Sequence, residues 1–146
     1  MALVRIYSMA DIFSKAERSR IMAAIKSKGN RSTEKAAASL FRKNKLNGWR
    51  SSYALPGTPD FAFPKKRLVV FTDGCFWHGC RPCKSLDRLK KPWVRKITAN
   101  RARDRRDGIA LRRMGWKVLR VWEHQFRRGP DSIVARVREA MRSRPK

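Results

Sequence analysis

Acid is scarce in this chain. It carries 11 aspartates and glutamates against 37 lysines and arginines, a net charge of +26 over 146 residues. Charge of that size repels itself in a compact state, so the economical partner is a polyanion. DNA or RNA is the first choice and an anionic membrane surface the weaker one. No apolar run approaches the roughly 18 residues of a membrane span. Residues 1–12 also lack the long apolar stretch of a secretory signal. No internal repeat is visible. Cysteine is sparse and odd in number, and its 3 residues lie close together, which fits a metal site in a reducing cytoplasm better than a disulfide framework. What is present in quantity is hydrophobic residue, at 42%. That is enough for one globular core and too much for a disordered basic tail.

The pattern predicts an N-terminal extension over residues 1–10, with Met9 available as a second start, and a single domain over residues 11–146. Ile21, Met22 and Ile25 share one face of a helix over residues 15–27, which Gly29-Asn30 ends. Ser32 is placed to cap a second helix with the apolar stripe Ala37, Leu40 and Phe41, stopping near Asn47-Gly48. Strands are expected at Trp49–Leu55, Asp60–Phe63 and Leu68–Thr72, the last buried on both faces. Pro64-Lys65-Lys66-Arg67 is short enough to close the second and third into a hairpin, which sets Asp60 across from Thr72. A long basic helix runs from Pro92 to about residue 114, closed by Gly115. A strand follows over Trp116–Glu123, then a helix capped by Asp131 with Ile133, Val134, Val137 and Met141 inward. The fold class is α/β, a mixed central sheet flanked by helices.

Cys75, Cys80 and Cys83 follow a C-x4-C-x2-C spacing, and His124 ends the last strand. Three thiolates and one imidazole make a closed tetrahedral zinc set that would staple the poorly apolar loop over residues 74–92. Arg81, Lys84 and Arg88 should favour thiolate. His78 competes with His124 for the fourth position, and three thiols without metal is the bland alternative.

A second constellation suits phosphodiester hydrolysis, in which a metal activates water and neutralises developing charge. Asp60, held on a strand after Pro59, can bind magnesium, with the Thr72 carbonyl or the Asp73 carboxylate as second ligand. His78 can serve as general acid or base. Each has a plainer reading: Asp60 as an edge residue, Asp73-Gly74 as a turn, His78 as a loop imidazole. Glu34 falls in the first turn of a helix, where dipole complementation alone would justify it.

Arg101, Arg103, Arg105, Arg106, Arg112 and Arg113 crowd the long helix, with Asp104 and Asp107 as compensation, and read as a phosphate-contacting face. Phe76, Trp77 and Trp93 lie in or beside the cysteine loop. They either wedge between base steps or pack as a minicore around the metal.

These residues resemble the very short patch repair (Vsr) mismatch endonuclease family over residues 10–142. The resemblance is carried by Arg18-Ser19-x-x-Met22-x-x-Ile25 with Glu34, by Leu55-Pro56-Gly57-x-Pro59-Asp60-Phe61, and by Val70-Phe71-x-x-Gly74-Cys75-Phe76-Trp77-His78. Asp104-x-x-Asp107 and Gly115-Trp116-x-Val118 through Val121-Trp122-Glu123 complete it. It implies a restriction-endonuclease-like core and a magnesium-dependent nick 5′ to the thymine of a T·G mismatch left by deamination of 5-methylcytosine. It implies Asp60 and the Thr72 carbonyl as magnesium ligands, His78 as the catalytic histidine and Glu34 as an acid near the site. Cys75, Cys80, Cys83 and His124 match its zinc positions, and Phe76, Trp77 and Trp93 its intercalating aromatics. Asp73 stands where some members have histidine, and Phe13 where some have an N-terminal histidine. The expected partner is mismatched double-stranded DNA, met by a cytoplasmic, nucleoid-associated monomer working beside mismatch-repair proteins. A related nuclease with other substrates, or a non-catalytic zinc-stabilised nucleic-acid binder, are the rival readings. Asp60 together with His78 argues against the binder, which needs neither.

Overall fold

The computed structural model describes Ala16 and residues 33–83 and 89–144. The helix expected over residues 15–27 (Ala16 aside), the cap at Ser32, Phe13, Lys84 and Arg88 lie outside the described residues. From residue 33 on, the described residues form four helices and three strands in the order α1 (Glu34–Lys43), β1 (Phe61–Phe63), β2 (Leu68–Asp73), α2 (Lys91–Arg113), β3 (Lys117–Trp122), α3 (Gln125–Arg128) and α4 (Pro130–Arg142). A single 3-10 turn, Pro64–Lys66, joins β1 to β2.

The sheet is mixed. β1 and β2 are antiparallel, pairing Phe61 with Val70 and Phe63 with Leu68. The link is short enough for a hairpin because Arg67 takes a left-handed φ of 47° and its N–H closes back on the Pro64 carbonyl. β2 and β3 are parallel, in register from Leu68 with Lys117 to Asp73 with Trp122. A parallel neighbour needs a long crossover, which α2 supplies. β2 is therefore central, and its Leu-Val-Val-Phe run is buried on both faces. Leu68 and Val70 join Phe61, Phe63 and Val121 beneath α1 and α4, whose Ala37, Phe41, Ile133, Val134 and Val137 close that layer. Val69 and Phe71 face the other way, onto Ala62, Trp116 and Leu111 of α2. Each fully buried large apolar side chain contributes about 1.5–3 kcal/mol, so the two layers together hold the sheet. No helix among the described residues is long and apolar enough to cross a membrane.

Three expectations need correction. Trp49–Leu55 is not a strand. One bridge survives, between Arg50 and Ala62, with 2.8 Å hydrogen bonds in both directions. Ser52, at φ 54°, bends the chain out of extended geometry within that segment. Trp49 accordingly packs on Phe61 in one layer and Tyr53 on Trp116 in the other, which a flat strand forbids for residues four apart. α1 ends at Lys43 rather than near Asn47, because Lys45 turns left-handed and the Leu46 N–H returns to the Phe41 carbonyl. Asp131 lies in the first turn of α4 rather than capping it, since Pro130 already opens that helix.

Candidate active site and metal centre

Asp60 sits just before β1, where the Phe61–Val70 register carries it to the far end of β2. Its Oδ2 accepts the Thr72 N–H at 2.7 Å and the Thr72 hydroxyl at 3.0 Å. Pro59 beside it is fully buried, which fixes the approach of the backbone. Burial pushes the Asp60 carboxyl up from 3.8 to about 6. The two Thr72 hydrogen bonds oppose that rise, while the charge and side-chain hydrogen bond of Glu34 add to it. Glu34, the first residue of α1, is thus a direct neighbour of Asp60. Two carboxyls in one half-buried place disfavour their own ionisation until a proton or cation joins them. An all-oxygen set of two acids at a strand end suits a hard dication such as magnesium.

His78 belongs to a second group. Strand alternation turns Asp73 away from Thr72, and its buried carboxylate meets Arg120 of β3, whose Nη1 lies 2.8 Å and 2.9 Å from the two oxygens. The guanidinium rests on the Phe71 ring, 4.4 Å from its centroid, and Nη2 lies 3.5 Å from Asp104 Oδ1. Asp104 Oδ2 in turn lies 2.5 Å from His78 Nδ1. Burial works against a charged His78 ring, but the Asp104 hydrogen bond and the charges of Asp73 and Asp104 outweigh it and raise the ring. Burial likewise pushes the Asp104 carboxyl up, and the His78 hydrogen bond with the charges of His78, Arg120 and Arg103 pulls it net below the usual range. Of the two second-ligand candidates, Thr72 is the one set against Asp60. The Asp73 carboxylate is engaged by Arg120.

Asp104 thus does more than compensate the arginines of α2, and Arg120 joins the site although strand prediction alone does not single it out. A signal existed for each. Trp93, Ile97 and Asn100 form the buried stripe of α2, and Asp104 continues it one turn on. Arg120 interrupts an otherwise apolar Val118-Leu119-x-Val121.

The cysteine loop folds onto the end of β3. His124 Nδ1 lies 3.3 Å, 3.5 Å and 3.3 Å from the sulfurs of Cys75, Cys80 and Cys83, and all four donor atoms fall within 4.8 Å of one another. Zinc at about 2.3 Å from sulfur and about 2.0 Å from nitrogen sets a tetrahedral S···N edge of about 3.5 Å, so the donors fit that ion. His124, not His78, is the imidazole of the cluster. Arg81 is exposed. Burial and the neighbouring sulfurs push Cys75 up to about 12, and burial raises Cys80 as well. Crowded thiols of this kind favour a dication over free thiolates. Glu123 Oε2 accepts the Cys75 N–H at 3.4 Å, tying loop to strand.

Between cluster and helix lie the aromatics. Phe76, Trp77 and Trp93 pack mutually, with ring centroids 5.1 Å, 5.4 Å and 5.9 Å apart. Phe76 and Trp93 are buried, and Trp77 is half-buried. The trio is a minicore here, held to α2 by the Asn100 side-chain amide donating to the Trp77 carbonyl at 2.9 Å. Gly79, at φ 66°, presses so close that a Cβ would stand 2.8 Å from Ile97 Cγ2. Arg101, Arg105 and Arg106 are exposed along the outer face of α2, beside Arg103, Arg112 and Arg113.

Known proteins share this arrangement of sequence. A family model described as DNA mismatch endonuclease Vsr matches residues 10–84. The chain is 42% identical over 121 residues to DNA mismatch endonuclease Vsr of Escherichia coli (strain K12), covering 82% of this chain and 77% of the relative. It is 44% identical over 121 residues to the type II nicking enzyme V.XorIIP of Xanthomonas oryzae, covering 79% and 85%. It is 32% identical over 141 residues to the type II nicking enzyme V.NmeDIP of Neisseria meningitidis serogroup C, covering 92% of each. With a restriction-endonuclease-like mixed sheet and an acid pair at its strand end, the chain belongs to the Vsr family of DNA mismatch endonucleases.

Proposed function

We propose that the protein nicks one strand of duplex DNA 5′ to the thymine of a T·G mismatch, by magnesium-dependent hydrolysis, and so begins very short patch repair of deaminated 5-methylcytosine. The observation that carries this is the pairing of two groups at the ends of β2 and β3: Asp60 with Glu34 and Thr72, and His78 with Asp104. A binding module has use for neither.

Asp60 and Glu34 would hold the magnesium, together with the Thr72 carbonyl. Bound there, the ion supplies charge neutralisation at the phosphate and activation of water. The Thr72 N–H and hydroxyl hold the Asp60 carboxylate in one orientation. His78 keeps its Nδ1 toward Asp104, which leaves Nε2 as the atom that takes or delivers a proton. Cys75, Cys80, Cys83 and His124, with zinc, hold the loop from which His78 projects. The exposed arginines of α2 engage phosphates. A T·G wobble stacks poorly, and Trp77, the most accessible ring of the trio, leads the aromatics into the weakened step while phosphate contacts offset the unstacking.

A different flanking-sequence preference is the second reading, supported by the relatives named as type II nicking enzymes. The deciding experiment is single-turnover nicking with magnesium on T·G and T·A duplexes in varied neighbouring sequences. Selective nicking of T·G supports the proposal and ranks the contexts. Equal nicking of both duplexes, or none of either in any context, refutes it.

A further inference from the structure

His78 has two carboxylates within reach of one ring nitrogen. Nδ1 lies 2.5 Å from Asp104 Oδ2 and 3.9 Å from Asp73 Oδ1. One N–H is well satisfied by one of them, and the choice sets where Nε2 points. Neither competitor is much exposed, with side-chain exposure of 5% for Asp73 and 16% for Asp104. Solvent therefore does little to level their attraction for the ring. Asp73 is the more buried of the two, and uncompensated it would be the stronger draw.

It is compensated. Arg120 Nη1 contacts both Asp73 oxygens, at 2.8 Å and 2.9 Å, while Nη2 stands off from Asp104 Oδ1 at 3.5 Å. The Phe71 ring beneath the guanidinium and the central position of Arg120 in β3 hold that preference in place. The asymmetry leaves Asp104 Oδ2 to the histidine.

We infer that Arg120 is a positioning residue for the nicking reaction: by occupying both oxygens of Asp73 it makes Asp104 the carboxylate partner of His78 and so fixes the direction of Nε2. The inference rests on the reading of His78 as the proton-transfer group. It has a specific corollary. Arg120 is needed because Asp73 is charged, so neutralising Asp73 makes Arg120 dispensable.

The test uses zinc-loaded full-length protein carrying Arg120→Met, Asp73→Asn, both together, or His78→Ala. The chain has 2 histidines, so the His78 ring N–H resonance is assigned by its loss in His78→Ala. Arg120→Met should move that resonance and slow single-turnover nicking by about 10²-fold, with DNA affinity and zinc content retained. Adding Asp73→Asn to Arg120→Met should return the resonance and recover most of the rate, which a purely structural role for Arg120 does not allow. A double variant as slow as Arg120→Met, or an unmoved resonance in Arg120→Met, overturns the inference. Should Arg120→Met leave Asp73 too costly for folding, the double variant, which keeps no buried unpaired charge, decides alone: a wild-type-like resonance supports the inference and a displaced one refutes it. If His78→Ala nicks like the wild type, the proton-transfer reading falls, while the resonances still decide whether Arg120 directs the ring.

Discussion

Replacing Asp60 by asparagine should make the magnesium-free protein more stable while abolishing nicking. In the wild type the carboxyl titrates near 6 rather than 3.8, chiefly through burial. A carboxyl raised in the folded state contributes its full stability below about pH 4, where it is protonated folded or unfolded. That contribution is lost as pH rises through 6. The ionised form is then disfavoured by up to about 3 kcal/mol, an upper bound because Glu34 shares the site. Asparagine keeps a carbonyl oxygen for the Thr72 N–H and hydroxyl and never ionises. The melting-temperature gain of Asp60→Asn should therefore be near zero at pH 4, open through pH 6 and reach up to about 9 °C at pH 8, at about 3 °C per kcal/mol for a chain of this size. The scans must be run without chelator, which would strip zinc. Magnesium should then narrow the gap from the other side, by stabilising the wild type and not the variant. A variant that melts at or below the wild type at pH 8, with a gap independent of pH, would show that the carboxylate is not held against its environment and would refute the reasoning.

Three further outcomes are expected. Elemental analysis should find one zinc per chain, and Cys80→Ser, at the most buried ligand, should lose it and lower the melting temperature; active protein without zinc would remove the cluster from the fold. His78→Ala should cost roughly 10²–10⁴-fold in single-turnover rate with zinc retained, and loss of metal instead would exchange the roles of His78 and His124. Trp77→Ala should reduce discrimination between T·G and T·A duplexes, whereas Arg105→Ala should weaken both alike and lower the salt slope of binding by about 1; equal loss on both duplexes for Trp77→Ala would confine that ring to packing.

Local signals carried the parts of the fold they could physically determine. The apolar run of β2 reads as doubly buried because each of its side chains meets one of the two core layers. Pro92 and Gly115 bracket α2 to within a residue or two, since one removes an N–H where none is needed and the other supplies a φ of 81° beyond the end. The Cys75, Cys80, Cys83 and His124 cluster is legible as rare residue types at a constrained spacing. Trp49–Leu55 misled because Ser52 adopts a backbone conformation that no pattern of hydrophobicity reports. For the aromatics the sequence leaves wedge and minicore both open, because a loop residue is exposed only if nothing packs beneath it, and α2 lies beneath this loop. Which carboxylate meets His78 is a tertiary matter. Asp104 is 26 positions away and Arg120 lies 47 from Asp73, so the arrangement exists only once β3 has docked on β2.

That docking also orders the assembly of the chain. The β1–β2 hairpin closes over a few residues, whereas His124 stands 41 to 49 positions from its three cysteine partners. The loop-closure entropy of the β2–β3 crossover must be met before the fourth donor arrives. Until then a zinc ion would have only the three thiols of a local segment to hold it. Arrival of His124 at the cluster should consequently be a late step that reports completion of the parallel sheet. Nicking competence and the final closure of the metal site should appear together in refolding, with the same rate constant.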